Sequence, residues 1–185
     1  MQTPDWIAVD WGTSNMRAWA MSASGSMLAE VQSDKGMADL TPDQFEPALR
    51  AATSGWAIDD IPIIACGMVG ARQGWIEAQY AAVPCPATPD GFTHPDGPLD
   101  VHIIAGLMQT NPADVMRGEE TQIAGFLAMN KNWDGVICLP GTHTKWAHVS
   151  ADEVVSFQTF MTGDLFAAIG DHTVLRHSVQ SDDWD

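Results

Sequence analysis

Asp10-Trp11-Gly12-Thr13-Ser14-Asn15 and Leu139-Pro140-Gly141-Thr142-His143-Thr144-Lys145 are the stretches whose residue types could do chemistry. Each follows an apolar run, Trp6 to Val9 and Val136 to Leu139, and each leads into a second apolar-alternating segment. That is the sequence form of a strand, a tight polar turn and a returning strand. Glycine lets a backbone approach a ligand closely, and Thr or Ser adds a hydroxyl beside exposed backbone N–H groups, a combination suited to phosphate. One such turn is a weak signal. Two of them, about 130 residues apart, point to a nucleotide gripped from both sides of a cleft.

The elements that must position these turns follow from the hydrophobic pattern. Trp6–Asp10, Met16–Met21 and Met27–Gln32 read as a three-stranded meander with turns at Gly12-Thr13-Ser14 and Ser24-Gly25-Ser26. Thr41-Pro42-Asp43-Gln44 combines a capping Thr, a Pro at the first helical position and a Gln three residues on. Phe45, Leu49 and Ala52 then fall on one helix face, which Gly55 is expected to end. Ile61–Cys66 is a buried strand that runs into the loop Gly67–Gly74, with three glycines in eight residues. The segment from Pro84 to Pro98 holds five of the eleven prolines and reads as an irregular surface connection. Val101–Ala105 is a further strand, Asn111-Pro112 opens a turn, and Gly118–Met129 is a helix with Ile123, Phe126 and Leu127 inward. From Gly135 the opening pattern returns: strands at Val136–Leu139, Lys145–Val149 and Val154–Phe160, then a helix from Gly163 to Gly170. A partial internal repeat results. The expected division is 1–134 for a first unit and 135–185 for the beginning of a second, which reaches Asp185 with too few elements to bury its sheet.

Charge and composition narrow the partners. A net charge of −16 repels nucleic acid and anionic membranes at long range, so neither is expected. No apolar run approaches the roughly 18 residues that cross a bilayer, and no basic-then-apolar leader opens the chain. Cys66, Cys85 and Cys138 are odd in number and scattered through apolar stretches, as reduced thiols of a cytoplasmic protein would be. Of only eight Lys and Arg, four (Arg17, Arg72, Arg117 and Lys145) lie inside Gly-containing motif segments, which points to an anionic ligand. Cys138, His143 and His148 have a loose metal-like spacing, but strand alternation sends them to different faces.

Five segments taken in order carry a resemblance over nearly the whole chain: DWGTSNMRAW at Asp10–Trp19, CGMVGARQGW at Cys66–Trp75, DVMRGEETQ at Asp114–Gln122, LPGTHTKW at Leu139–Trp146 and FMTGDLFA at Phe160–Ala167. Together they resemble the 2-keto-3-deoxygalactonate kinase (2-dehydro-3-deoxygalactonokinase) family of the sugar kinase and actin superfamily. The resemblance implies an α/β fold: an actin-like ATPase (ribonuclease H-like) domain plus an incomplete second domain of the same type. It implies an ATP- and Mg²⁺-dependent kinase that phosphorylates the 6-hydroxyl of 2-keto-3-deoxygalactonate in galactonate catabolism. A kinase for another sugar acid, or a truncated sugar-acid-binding fragment without catalysis, are the alternatives. The partner is then a small-molecule sugar acid, and a homodimer is left open.

The resemblance also implies roles. Asp10 would help hold Mg²⁺ through water, in keeping with that ion's habit of retaining waters, where an isolated Asp would only stabilise the turn. Gly12, Thr13, Ser14, Asn15 and Arg17 on the first turn, with Gly141, Thr142, Thr144 and Lys145 on the second, would face the phosphates. Pro140 stands where many members of the superfamily carry an acidic residue, which leaves Asp10 as the only carboxylate expected on either turn. Glu119 matches the position of a catalytic Asp in related sugar kinases and would accept the proton of the attacking hydroxyl, with Glu120 the next candidate. The same two residues would also be favoured in a helix's first turn by its dipole alone. Arg72 and Arg117, with Gln73, would meet the substrate carboxylate, and Trp75 would pack on the sugar.

Overall fold

The computed structural model describes residues 3–179; Gln180–Asp185, the last part of the expected second unit, lie outside the described residues. The chain forms a mixed α/β fold of three sheets. In order the elements are β1 (Trp6–Trp11), β2 (Met16–Met21), β3 (Met27–Ser33), α1 (Phe45–Ala52), β4 (Ile63–Gly67), β5 (Tyr80–Ala82), β6 (Cys85–Pro86), β7 (Phe92–Thr93), β8 (Val101–Ile104), β9 (Gly106–Thr110), β10 (Ala113–Met116), α2 (Glu119–Met129), β11 (Gly135–Leu139), β12 (Thr144–Ser150), β13 (Glu153–Phe160), α3 (Thr162–His172) and α4 (Arg176–Val179).

The first sheet has the order β3-β2-β1-β4-β8-β7. Its meander is antiparallel, whereas β4 and β8 run parallel to β1. Alternation puts Ile7, Val9 and Trp11 of β1, Ile63 and Ala65 of β4, and Val101 and Ile103 of β8 on one buried face. Phe45 and Leu49 of α1 cover that face. The helix enters through the expected capping box at Thr41 and Gln44 but closes at Thr53, two residues before Gly55, because the Thr53 N–H and hydroxyl both donate to the Leu49 carbonyl. Parallel strands place the ends of β1 and β4 side by side, so the first polar turn and the Gly67–Gly74 loop start from adjacent positions.

The second core joins both parts of the sequence. Leu107 and Met116 of the β9–β10 hairpin and Ile123 and Leu127 of α2 pack with Ala147, Val149, Val154 and Phe157 of the second meander, β11-β12-β13. Gln109 fastens the two: its amide donates to the Phe157 carbonyl at 2.8 Å and accepts from the Phe157 N–H at 2.9 Å, as a neighbouring strand would. The segment expected to be irregular, 84–98, carries two short strands. β6 extends the second meander by pairing with β13, and β7 closes the edge of the first sheet on β8. The turn at Asn111-Pro112 is the bend of the β9–β10 hairpin, which hydrophobic alternation alone did not reveal.

Candidate active site

The two polar turns meet. One cleft of about 670 Å³ is lined by Asp10, Gly12, Thr13 and Ser14 from the first turn and by Gly141, Thr142 and His143 from the second. Its floor and walls come from Gly67 at the end of β4, from Met68 and Ala71 after it, and from Arg117, Gly118 and Glu119 at the start of α2. Asn15 and Arg17 line an adjoining hollow that also reaches Thr142.

The first turn is held by backbone hydrogen bonds rather than by its side chains. Gly12 N–H donates to the Asn15 carbonyl at 2.8 Å, and the Met37 and Ala38 N–H groups donate to the Gly12 and Thr13 carbonyls at 3.0 Å each. The hydroxyls of Thr13 and Ser14 are thus left exposed. The floor requires glycine. Gly67 has φ +90, and a side chain there would press to 2.7 Å from the Trp11 carbonyl; Gly118 has φ +107 and sits over Gly67. This double glycine contact lets the start of α2 descend onto the ends of β1 and β4.

The second turn rests on α3. A side chain at Gly163 would meet the Gly141 carbonyl at 2.6 Å, and Asp164 N–H donates to the Thr142 carbonyl at 3.1 Å. Asp164 therefore lines the cleft, its carboxylate 3.5 Å from His143 Nε2. Asp10 is not alone beside the turns, as its sequence position implied. Asp164 lies more than twenty positions beyond Gly141 in the chain, and only the packing of α3 brings it back.

Asp10 and Arg17 are direct cross-strand partners, and Arg17 Nη2 donates to Asp10 Oδ2 at 2.6 Å. Cys66 sits beside Asp10 on β4. Burial pushes its thiol up to about 12, with the negative charges of Asp10 and Glu120 adding to the effect. It is an inert thiol rather than a nucleophile.

The two adjacent glutamates part company. Glu119 is half-buried on the cleft wall, its Oε2 accepting the Arg117 N–H at 3.0 Å. Glu120 is fully buried and its Oε2 accepts the Gly118 N–H at 2.7 Å, so it fastens the floor and cannot touch a molecule in the cleft. Burial pushes the Glu120 carboxyl up to about 7, against the lowering effect of backbone N–H donors and with a further rise from Glu119. Since the folded value lies above the ordinary one, folding binds a proton that the unfolded chain releases. The stabilisation is complete below the ordinary value of 4.5 and is lost as pH rises through 7. Glu120→Gln, which preserves the acceptor for Gly118, should reduce the loss of stability between pH 5 and pH 8, by an amount on the order of 3 kcal/mol at most, and with it the fall in melting temperature. Thermal unfolding of both proteins at the two pH values checks this; parallel falls would show that Glu120 does not titrate in that window.

Several expected contacts fall elsewhere. Lys145 is buried, and its ammonium donates to the Val115 carbonyl at 2.7 Å and Thr159 Oγ1 at 2.6 Å, 3.8 Å from Asp114. It reaches the cleft wall but its charge is spent joining β10 to the second meander. Thr144 is buried, with its hydroxyl bonded to that of Thr162. Trp75 stacks on Phe45 at 5.9 Å between ring centroids and abuts Trp11, so it belongs to the first core rather than to a sugar site. Arg117 is buried: Nε donates to Tyr80 Oη at 3.3 Å, Nη2 donates to the Ala78 carbonyl at 2.8 Å, and the guanidinium lies over the Tyr80 ring. Its buried Nη1 has no partner among the described residues. Arg72 and Gln73 are exposed just beyond Ala71, the last residue of that loop to line the cleft.

The sequence profile described as 2-keto-3-deoxy-galactonokinase matches residues 10–185. A Rhizobium meliloti (strain 1021) protein named "Probable 2-dehydro-3-deoxygalactonokinase DgoK1" is 43% identical over 96% of the chain, and the Escherichia coli (strain K12) 2-dehydro-3-deoxygalactonokinase is 34% identical over 96%. The chain spans 60% and 59% of the lengths of these relatives. A crystal structure of a Sinorhizobium meliloti protein described as a 2-dehydro-3-deoxygalactonokinase superimposes with a TM-score of 0.86 at 43% identity, covering 96% of this chain and 61% of that one. With both turns, the glycine floor and Glu119 falling inside the matched residues, the chain belongs to the 2-keto-3-deoxy-galactonokinase family.

Proposed function

We propose that this protein, in its full length, phosphorylates the 6-hydroxyl of 2-keto-3-deoxygalactonate with ATP and Mg²⁺. The observation that carries the reading is the convergence of both Gly-Thr turns on one cleft that also holds Glu119. The residues present fit a nucleotide phosphate: glycines that let the loop after β4 and the start of α2 close into a floor, the exposed hydroxyls of Thr13, Ser14 and Thr142 on the two turns, and carboxylate oxygens suited to Mg²⁺. Gly12, Thr13, Ser14, Asn15 and Arg17 would hold the phosphates from one side, Gly141 and Thr142 from the other, with Asp10 holding Mg²⁺ through water. Magnesium-bound ATP supplies the phosphoryl group and neutralises the charge that develops on it.

The chain's own residues do the rest. Glu119, tethered to the Arg117 N–H, stands ready to receive the hydroxyl proton, which leaves the acceptor oxygen able to attack. Arg72, exposed next to the cleft-lining Ala71, would meet the substrate carboxylate, with Gln73 beside it. Arg117, held in the cleft wall by Tyr80 and Ala78, adds fixed positive charge there. The meander followed by parallel strands, and its repetition at β11–β13, support an actin-like ATPase architecture with a first unit at 1–134 and the start of a second at 135–185. Cytoplasmic residence accords with the free cysteines and with the lack, among the described helices, of any long and apolar enough to cross a membrane. A homodimer is compatible with the reading. The test is ATP-dependent turnover of the full-length protein on 2-keto-3-deoxygalactonate and on other sugar acids. Turnover should be highest with the named substrate and abolished by chelating Mg²⁺. A better rate on a different sugar acid would replace the substrate, and binding without turnover would replace the reaction.

A further inference from the structure

The far edge of the first sheet carries a group of side chains that the phosphate cleft does not use. Antiparallel pairing sets Phe92 of β7 opposite Ile104 and Thr93 opposite Ile103 of β8. One step further along the same register brings His94 to His102, and their rings meet edge to face with centroids 4.6 Å apart. Asp100 precedes His102 by two positions and so shares its side of the strand. A ring nitrogen of each histidine and a carboxylate oxygen of Asp100 all lie within 4.8 Å of one another.

Two details distinguish this group from ordinary packing. His94 Nδ1 lies 3.0 Å from the Val101 carbonyl, which can only accept, so Nδ1 carries the hydrogen and Nε2 keeps a lone pair. A backbone carbonyl fixing the opposite nitrogen is the usual way in which a metal-binding imidazole is oriented. His102 Nε2 lies 2.9 Å from Asp100 Oδ1, yet it is buried and has no hydrogen-bond partner among the described residues, so the contact lacks hydrogen-bond alignment. A buried, unpartnered ring nitrogen and a carboxylate oxygen placed side by side but not aimed at each other can instead serve one cation.

We propose that His94, Asp100 and His102 form a binding site for Zn²⁺ or another late first-row dication. Two imidazoles and one carboxylate are the donor set such ions prefer over Mg²⁺, and bonds of about 2.0–2.2 Å require these atoms to be roughly 3–3.5 Å apart. Small adjustments of the exposed His94 and Asp100 side chains, with His94 Nδ1 still held by the Val101 carbonyl, close the remaining gap. Phe92 packs edge-on against His102, with ring centroids 5.4 Å apart, and holds that ligand in place. The site lies toward the start of β8, whereas the first polar turn and the Gly67–Gly74 loop follow the far ends of the parallel strands β1 and β4. Its role is to staple the proline-rich 84–98 segment to the sheet edge, not to take part in phosphoryl transfer.

The test is Zn²⁺ binding to the full-length protein in excess Mg²⁺, which fills sites made of oxygen ligands. Equilibrium competition against a chromogenic chelator should show one tight equivalent. It should weaken at least about tenfold in His94→Gln, His102→Gln and Asp100→Asn, the cost usual for disturbing a metal's ligand environment. His148→Gln, on the second meander, should leave it unchanged. Zinc should also slow amide exchange over 92–102 in the wild type and not in the three variants, a readout independent of activity. Circular dichroism identifies any variant that fails to fold, and Asp100→Asn, at an exposed position, keeps the comparison open. No tight equivalent in the wild type, or zinc retained with equal affinity by the folded variants, would overturn the proposal.

Discussion

Glu119→Gln should lower kcat by about 10²–10⁴, the usual contribution of a positioned general base, while KM for the sugar acid changes little. The substitution leaves shape and tether in place, because the Gln carbonyl can still accept the Arg117 N–H that Glu119 Oε2 accepts at 3.0 Å. What it removes is the ability to take a proton. Steady-state kinetics settle the matter. A loss confined to KM would make Glu119 a binding group instead. Glu120→Gln is the matched control, since Glu120 is sealed beneath the floor and its replacement should alter pH-dependent stability far more than chemistry.

Asp10→Asn should raise the Mg²⁺ concentration needed for half-maximal turnover by about 10–100-fold, the usual cost of losing a group that orients a metal's ligands. The fold should survive. The Asp10–Arg17 pair is partly exposed, with 50% of the Arg17 and 30% of the Asp10 side chain open to solvent, and such pairs contribute at most about 1 kcal/mol. The variant frees the Arg17 guanidinium beside the phosphate turn, so nucleotide affinity measured without Mg²⁺ should hold or improve even as Mg²⁺-dependent turnover falls. Titrating Mg²⁺ at saturating ATP distinguishes the two effects. Turnover and Mg²⁺ dependence within a few-fold of wild type would remove Asp10 from the metal site and direct attention to Asp164, the other carboxylate at the turns.

Local rules were enough for the strands that carry the turns, because period-two alternation with a Gly-Thr punctuation leaves little choice of structure at Trp6–Met21 and Gly135–Ser150. The capping box at Thr41 and the glycine loop after β4 were legible for the same reason: each is decided by residues within a few positions of one another. The short strands β5, β6 and β7 were not legible, since two or three residues carry no period and their pairing is won from distant strands.

The site divides along the same line. That both turns carry a glycine beside exposed hydroxyls could be read from their own residues, as could an acidic first turn in α2. Which glutamate faces the cleft could not, because adjacent helical positions differ by about 100° and only the packing of α2 on Gly67 sets the phase. Lys145, Thr144, Arg117 and Trp75 looked available in sequence because their types suit ligands. The tertiary structure engages each of them elsewhere: Lys145 with Val115 and Thr159, Thr144 with Thr162, Arg117 with Tyr80 and Ala78, and Trp75 with Phe45. Asp164 shows the converse, a residue whose place at the second turn comes only from the descent of α3 onto Gly141 and Thr142. Local chemistry determines what a turn can bind. Burial and the partners available at a distance decide which side chains remain free to bind it.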